Sequence, residues 1–579
     1  MKFTHKYSRM HSVRRRMFRA TLIFYGASAL FLPPQFAAAQ AVPTVPGAAD
    51  PSRIEPQKPA LPSTLTPTPR FSTQGVIPEI DAPKGADTIR FIAKEISFAG
   101  MTQFSEADFS SLISPLENKE ISLADIYALA GKITLRYKEA GFLLSYAYIP
   151  EQQIADGKVI IAVVEGYVAE IITEGTDPNN FITSQYKARI TKQRPLKEQT
   201  LESTLLRIND LPGRSYRAIL HKPEQGSLDR FKLTLVPQKK APHASLSFDN
   251  FSSRYLGPNE INANISASIA PLQQTTLSAL NSVPFDRLNY VQLNHSVAAF
   301  ADATLEATAS YAHSKPEFRL EPLDIESTTA SFSAGLNYQV LRKRDENLLL
   351  GLHAGSRHVT SDIFTNTLLT RDEIRYVKAS VSYDIQDSLN GANIVNVDFT
   401  QGLPILGASK TGDLNLSRAQ AHPDFSKAEL SVSRYQSLGK YVSALVQGSG
   451  QLSSGQLYAS EEFGIGGQSV GRAYDNSEAV GDSGLSGSIE LRYQGLRTLQ
   501  PVNFEPFIFI DSGFVSNTDS AQKGYESLTS TGAGVRFASD IGQSGLVGVA
   551  FPLSRNPDAP IYGLGNNGPR ILLQFSQQF

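Results

Sequence analysis

The sequence predicts two small α+β modules followed by an all-β transmembrane barrel of about 16 antiparallel strands. Three observations carry that expectation. Between residues 91 and 240 the apolar positions follow helical spacing in some stretches and strand spacing in others, whereas after Lys240 helical periodicity disappears and period-two alternation takes over. The alternation continues over residues 243 to 579, a length that holds about 16 strands of roughly 10 residues with their turns and longer loops. No uninterrupted apolar run approaches the roughly 18 residues of a spanning helix, while the strands of a membrane barrel never read as such runs.

Composition narrows the function. The 579 residues exceed one ordinary core, and Lys+Arg 54 against Asp+Glu 55 leaves a formal charge of −1 that steers nothing to nucleic acid. Cysteine is absent, which excludes thiol catalysis, disulfides and Cys-based zinc sites. Tryptophan is absent too, so the aromatic belts of a barrel would draw on 31 Phe and 22 Tyr. Neither GxxxxGK[ST] nor HExxH occurs, so no nucleotide site, metal site or cofactor is expected.

Residues 1–41 read as an export signal. Seven basic residues between Lys2 and Arg19 precede an apolar stretch from Ala20 to Leu32 and the small residues Ala37-Ala38-Ala39-Gln40-Ala41. Residues 42–88 contain ten of the 33 prolines and read as an extended linker, because proline fixes φ and removes donors. The stretch is a poor helix. The first module, 89–168, begins with a strand from Phe91 to Phe98 that Gly100 ends. Ser105-Glu106-Ala107-Asp108 and Ser122-Leu123-Ala124-Asp125 each fit a capping box. Leu123, Ile126, Ala130, Ile133 and Tyr137 then recur on one helical face until Gly141, and strands Leu143 to Ile149 and Val159 to Glu165 follow. The second module, 169–240, has a strand near Ile171, a helix around Leu201 to Ile208, the break Leu211-Pro212-Gly213, and strands Tyr216 to His221 and Arg230 to Val236.

In the barrel region, 241–579, Leu305, Ala307, Ala309 and Tyr311 alternate with polar neighbours. So do Val395, Val397 and Phe399, and so do Ile489, Leu491 and Tyr493 against Ser488, Glu490 and Arg492. Ile571, Leu573, Phe575 and Phe579 share one face, and an aromatic end on such a strand resembles the assembly signal of bacterial outer-membrane barrels. On the strand around Asp511, Glu505, Phe507, Phe509 and Asp511 share one face and Ile508 and Ile510 the other. A carboxylate avoids lipid, so Asp511 is expected inward and the two isoleucines outward.

Short markers make the resemblance specific. Tyr137-Lys138-Glu139-Ala140-Gly141-Phe142, Ile149-Pro150-Glu151-Gln152 and Val163-Val164-Glu165-Gly166 resemble the first POTRA domain of two-partner secretion transporters, and Leu211-Pro212-Gly213 resembles a marker of their second. Gly466 to Asp475, followed by Gly481-Asp482-Ser483-Gly484, resembles their long inward-folded loop, and Phe509-Ile510-Asp511 is similar to their FxD strand motif. Ala473 stands where that loop usually has the glycine of Arg-Gly-Tyr. The family is TpsB, the ShlB/FhaC/HecB-type hemolysin secretion/activation proteins, related to BamA.

The resemblance implies periplasmic POTRA domains, a barrel in the outer membrane of a Gram-negative bacterium, and an unfolded TpsA-type exoprotein (a hemolysin or adhesin) as cargo. It implies no enzymatic activity and no nucleotide hydrolysis. The further partners would be outer-membrane lipid and, during biogenesis, the barrel assembly machinery. Arg472 and Tyr474 at the loop tip, with Phe509 and Asp511 on the wall, are the expected anchors of the loop, and an Arg472–Asp511 pair suits the planar guanidinium. Tyr137, Gly141, Pro150, Gln152, Glu165 and Gly166 are expected to shape the first POTRA domain. Gly481-Asp482-Ser483-Gly484 also matches a serine-protease nucleophile box, but it reads better as a turn before an alternating strand. A BamA-like factor that inserts barrels is the alternative function.

Overall fold

The computed structural model describes residues 45–54, 76–77, 81–154, 156–177, 180–223, 227–364, 367–496, 502–518, 524–555 and 568–579; the expected export signal and most of the proline-rich linker lie outside them. Both capping boxes form. Ser105 and Asp108 bond reciprocally ahead of a 3-10 turn and a short helix, and Ser122 and Asp125 do the same ahead of the helix Leu123–Glu139. That helix buries Ile126, Leu129, Ala130, Ile133 and Tyr137, and Gly141 ends it in the left-handed region at φ 85°. The single strand expected across 91–98 is two strands, Arg90–Ala93 and Glu95–Ala99, broken at Lys94, whose N–H turns aside to Gly157 O at 2.8 Å. Arg90–Ala93 pairs with Lys119–Ser122, a short strand that periodicity does not reveal. Glu95–Ala99 runs parallel to Lys158–Val164, which pairs antiparallel with Tyr146–Tyr148.

The second module has the sheet order Tyr167–Thr173, Arg230–Lys239, Arg214–His221, covered by helices Asn180–Lys192 and Glu198–Asp210. Asn180–Lys192 was not expected, because its buried face is only Ile182, Thr183, Tyr186 and Ile190 in a polar segment. The modules share a core: Leu144, Tyr146 and Val164 of the first cluster with Phe231, Leu233 and Leu235 of the second. Gly141 O accepts the N–H of Glu198 at 2.7 Å across the same junction.

From His243 onward sixteen antiparallel strands close into a barrel, with His243–Asp249 joined to Arg570–Gln578. Side-chain parity holds around the wall. Leu305, Tyr311, Val397, Phe399, Ile489, Ile508, Ile510, Ile571 and Leu573 are exposed on the outside, while Phe507, Phe509, Asp511 and Leu572 are buried inside. In water each exposed apolar side chain would forfeit about 1.5–3 kcal/mol of burial, whereas hydrocarbon is its favourable solvent. The fold is therefore the one expected, α+β modules followed by a 16-stranded membrane barrel.

The second module sits on the near rim of the barrel. Asp302, in the turn between Leu288–Phe300 and Ala303–Ser314, pairs with Arg189 and Arg207, each at 2.5 Å. Arg207 also donates to Gln339 O at 2.8 Å and Val340 O at 3.1 Å, and Arg342 pairs with Asp210 at 2.6 Å.

Candidate functional site: the loop and strap inside the barrel

Strands Val442–Ser453 and Ser483–Tyr493 pair directly, so the chain between them, 454–482, must leave the sheet. It folds inward as the hairpin Phe463–Ile465 with Ala479–Gly481, and Ile465, Ala473, Tyr474 and Ala479 pack on Phe507, Phe509, Leu528 and Leu572 of the wall. Gly466, Gly467 and Gly471 take φ of 112°, 103° and 73°, which is why the tip needs glycine at these points. Ala473 is not among the positive-φ residues and is buried, so alanine fits the position where the family's loop usually has glycine.

Arg472 is the centre of the tip. Its Nη1 donates to Glu490 Oε2 at 2.6 Å, its Nε lies 3.5 Å from Asp511 Oδ2, and its guanidinium stacks 4.1 Å from the Phe509 ring centroid. Arg472, Glu490 and Asp511 are all buried. Asp511 is instead hydrogen-bonded by Gly471 N–H at 2.8 Å and by the Ser530 hydroxyl. The expected Arg472–Asp511 contact is thus an ion pair without a hydrogen bond, and the hydrogen-bonded partner is Glu490, which the sequence reading did not single out. Glu490 also receives Arg492 at 2.8 Å and Arg536 at 3.1 Å, so one carboxylate faces three guanidinium groups. The available signal was its inward parity beside Ser488 and Arg492.

Tyr474 is buried and donates its hydroxyl to Arg555 O at 2.8 Å. Next to it Asp475 pairs with Arg254 at 2.5 Å, and Arg570 donates to Asn250 O and Ser252 O at 2.9 Å. At the base of the loop Asp482 accepts from Arg418, from Leu457 N–H at 2.8 Å and from Thr518 N–H at 2.8 Å, so the protease-like tetrapeptide holds a loop anchor.

A second segment enters the lumen. Residues 45–54 form two 3-10 turns, Gly47–Ala49 and Pro51–Arg53, not an α-helix. Ala48 and Ala49 are buried with Tyr255, Leu320, Ile325, Ile363 and Leu369, at the end of the barrel opposite the modules. Ser253 donates its hydroxyl to Ala48 O, and Gly47 sits against Ser477 and Val480 of the inward loop with no room for a Cβ. Arg53 reaches the loop base, donating to Glu462 O at 2.9 Å, to Glu462 Oε2 at 3.1 Å and to Ala459 O. This strap was not legible in the sequence, where proline marks it only as extended.

In the first module Tyr137 donates its hydroxyl to Glu165 Oε1 at 2.8 Å. Burial opposes the charge on Glu165, but Thr102 and Gln103 backbone N–H groups at 2.7 and 2.8 Å, the Thr102 hydroxyl and Tyr137 outweigh it and hold its carboxyl below the usual range. Burial, then the Glu165 contact, pushes the Tyr137 phenol up. Gln152 uses its amide like a strand, accepting from Ile160 N–H at 2.8 Å and donating to Ile160 O at 2.7 Å just beyond the short edge strand, and its amide also reaches Pro150 O at 3.4 Å. Gly166 has no room for a Cβ between Leu144 and Phe231, at the junction of the modules. Phe575 faces outward beside Phe537, and Phe579 N–H bonds Ala244 O at 2.8 Å across the closing seam.

A closed barrel with two rim modules and a buried loop clamped to its inner wall defines an outer-membrane type of barrel with appended α+β domains. The POTRA domain, ShlB-type, matches residues 91–166, and the haemolysin secretion/activation protein ShlB/FhaC/HecB model matches residues 231–537. The chain belongs to that family, the two-partner secretion transporters of the outer membrane, with its POTRA domains on the periplasmic side. Among its relatives, the outer membrane transporter CdiB of Escherichia coli O6:K15:H31 is 23% identical over 73% of this chain and 71% of that protein. The hemolysin transporter protein HpmB of Proteus mirabilis is 25% identical over 75% of this chain and 77% of its own length. The solved structure of CdiB from Escherichia coli shares the fold with a TM-score of 0.63 at 19% identity, covering 89% of this chain and 93% of that one. BamA from Haemophilus ducreyi lacking POTRA domains 1-3 does so with a TM-score of 0.52 at 14% identity, covering 84% and 100%.

Proposed function

We propose that this transporter passes an unfolded exoprotein, of the hemolysin or adhesin class, through the barrel lumen after its POTRA domains have taken hold of it by strand addition. The observation that carries the reading is the buried loop clamped inside a closed barrel whose periplasmic modules end in strand edges. In the second module Arg214–His221 is an outer strand of its sheet. Asn209 covers that edge at Tyr216, donating to its carbonyl and accepting its N–H, while among the described residues no strand lies beyond Ala218 and Leu220 in the sheet. An extended peptide can add there through main-chain bonds, which accommodate many sequences. The first module is more closed, because Thr134 accepts the N–H of Ala147 on its short edge strand.

Folding of the cargo outside the cell supplies the driving force in this reading, and nucleotide hydrolysis plays no part. At rest the strap 45–54 and the inward loop occupy the lumen together and close it. Arg472, Tyr474, Phe509 and Asp511, with Glu490, hold the loop in place. Tyr137, Gly141, Pro150, Gln152, Glu165 and Gly166 shape the first POTRA domain, and Phe575 and Phe579 serve barrel assembly.

The test is to delete the gene and compare supernatant and surface proteins by mass spectrometry, with a complemented strain alongside. Loss of one large β-rich exoprotein with other barrels unchanged is expected. A broad fall in many outer-membrane barrels would overturn the reading in favour of a BamA-like insertion factor.

A further inference from the structure

The seat of Arg53 is built for a guanidinium group. Two main-chain carbonyls, Ala459 O and Glu462 O, and one carboxylate oxygen of Glu462 converge on its two terminal nitrogens. Both side chains are nearly sealed, Arg53 at 7% and Glu462 at 6% exposure. One carbonyl belongs to a 3-10 turn, Ala459–Glu461, and the other to the residue that caps it, Glu462, at the base of the inward loop, so both are placed by the loop and not by the strap. The other oxygen of Glu462 pairs with Arg418 at 3.0 Å. Arg418 is itself committed to Asp482 and to Leu457 O at 3.0 Å, so it cannot turn to fill the seat. The neighbouring Glu461 is likewise held, by Arg357 at 2.7 Å and Lys427 at 3.1 Å.

If the strap leaves the lumen for transport, the seat loses its donor while its three acceptor oxygens stay convergent on one slot, which favours a replacement donor of the same shape. The replacement available is the chain in transit. We propose that this seat is a guanidinium-binding site near the outer end of the pore, filled at rest by Arg53 and, once the strap has moved, by arginine side chains of the passing polypeptide. Arginine suits it better than lysine, because a planar fork can serve two carbonyls and a carboxylate at once whereas an ammonium is a compact point charge. The inference rests on the strap being the resting plug.

The test uses the purified full-length protein and two variants that empty the seat: deletion of 45–54, and Arg53→Ala, which keeps the strap and leaves a slot of guanidinium size. N-acetyl-arginine amide and N-acetyl-lysine amide are the probes, and saturation-transfer NMR reads binding without requiring the pore to conduct. Both variants are expected to bind the arginine probe at least tenfold better than the lysine probe. The unaltered protein should show no such preference, and Glu462→Gln added to either variant should abolish it. Equal binding of the two probes, or none, in both variants would overturn the site. Planar-bilayer conductance of the deletion judges the plug separately: a current equal to that of the unaltered protein would overturn the resting plug and, with it, any role for the seat in transit, even if the arginine probe binds.

Discussion

Glu490 is the residue on which the buried loop depends most. Its carboxylate faces Arg472, Arg492 and Arg536, so Glu490→Gln leaves three guanidinium groups without their shared counter-charge, two of them on the wall and one on the loop. Removing one side of a buried pair costs about 3–5 kcal/mol, and the loop is the mobile member that can relieve it by leaving. Asp511→Asn is milder, since Gly471 and Ser530 can still bond the amide oxygen. The expected order of loop release is therefore Glu490→Gln ahead of Asp511→Asn. It is read by thiol labelling of a single cysteine placed at buried Val470, in a chain that has no other cysteine. The charge swap Arg472→Asp with Asp511→Arg should not rescue the loop, because it sets a carboxylate against Glu490. Recovery of protection by the swap would show that Asp511, not Glu490, is the partner that matters.

Glu165 gives a pH prediction at the same scale. Its folded carboxyl lies below the ordinary value, so the stability it contributes is complete above the unfolded pKa of about 4.5 and is lost as pH falls through the folded value. Amide exchange at Thr102 and Gln103 in the full-length protein should accelerate over that acid window and lose this dependence in Glu165→Gln. Tyr137→Phe should cost about 1.5–3 kcal/mol by deleting one bond to a charged acceptor.

Among the elements, the outer strand Arg214–His221 carries the most direct test of cargo capture. Tyr216 points its N–H and C=O away from the sheet toward Asn209, so by strand parity Ala218 does the same toward solvent. Ala218→Pro then removes an outward donor without breaking a ladder bond, which an edge strand tolerates. Exoprotein release should fall while barrel assembly and heat-modifiable migration stay unchanged. Undiminished release would move the recognition elsewhere.

These elements also show what the sequence could carry. The barrel was legible because one face of every strand meets lipid and the other the lumen, so parity at Ile508, Ile510 and Asp511 or at Ile571 and Leu573 could only be satisfied one way. The helix Asn180–Lys192 was hidden because so little of it is apolar, and Lys119–Ser122 because a four-residue strand has no period to detect. Glu490 is not legible in the sequence because its importance comes from arginines on the loop, its own strand and the strand after next. The strap is not legible because what holds it, Ser253, Glu462 and the inward loop, lies hundreds of residues away.

At the scale of the whole molecule, the rim contact decides whether the modules swing or stand. Asp302 holds Arg189 and Arg207 at once, Arg207 is buried and bonded to two further carbonyls, and the Tyr186 hydroxyl accepts the Asp302 N–H at 2.8 Å. Arg342 and Asp210 add a second tie on the next turn, and Arg344 pairs with Glu202 beside it. Side chains from both helices of the module thus grip two turns of the barrel, which fixes orientation as well as position. The shared core with Leu144 and Tyr146 then carries the first module along as one body. Asp302→Asn keeps the turn's shape but removes the counter-charge of two guanidinium groups, at roughly 2–3 kcal/mol after allowing for the half-exposed Arg189. Spin labels on cysteines placed at exposed Lys132 and at exposed Leu438 on the barrel should give a narrow distance distribution in the cysteine-free parent and a broad one in Asp302→Asn. A distribution equally broad in both would mean that the modules already swing and that the ion pairs do not restrain them. The edge strand proposed to take the cargo would then reach the pore by motion and not by a fixed placement on the rim.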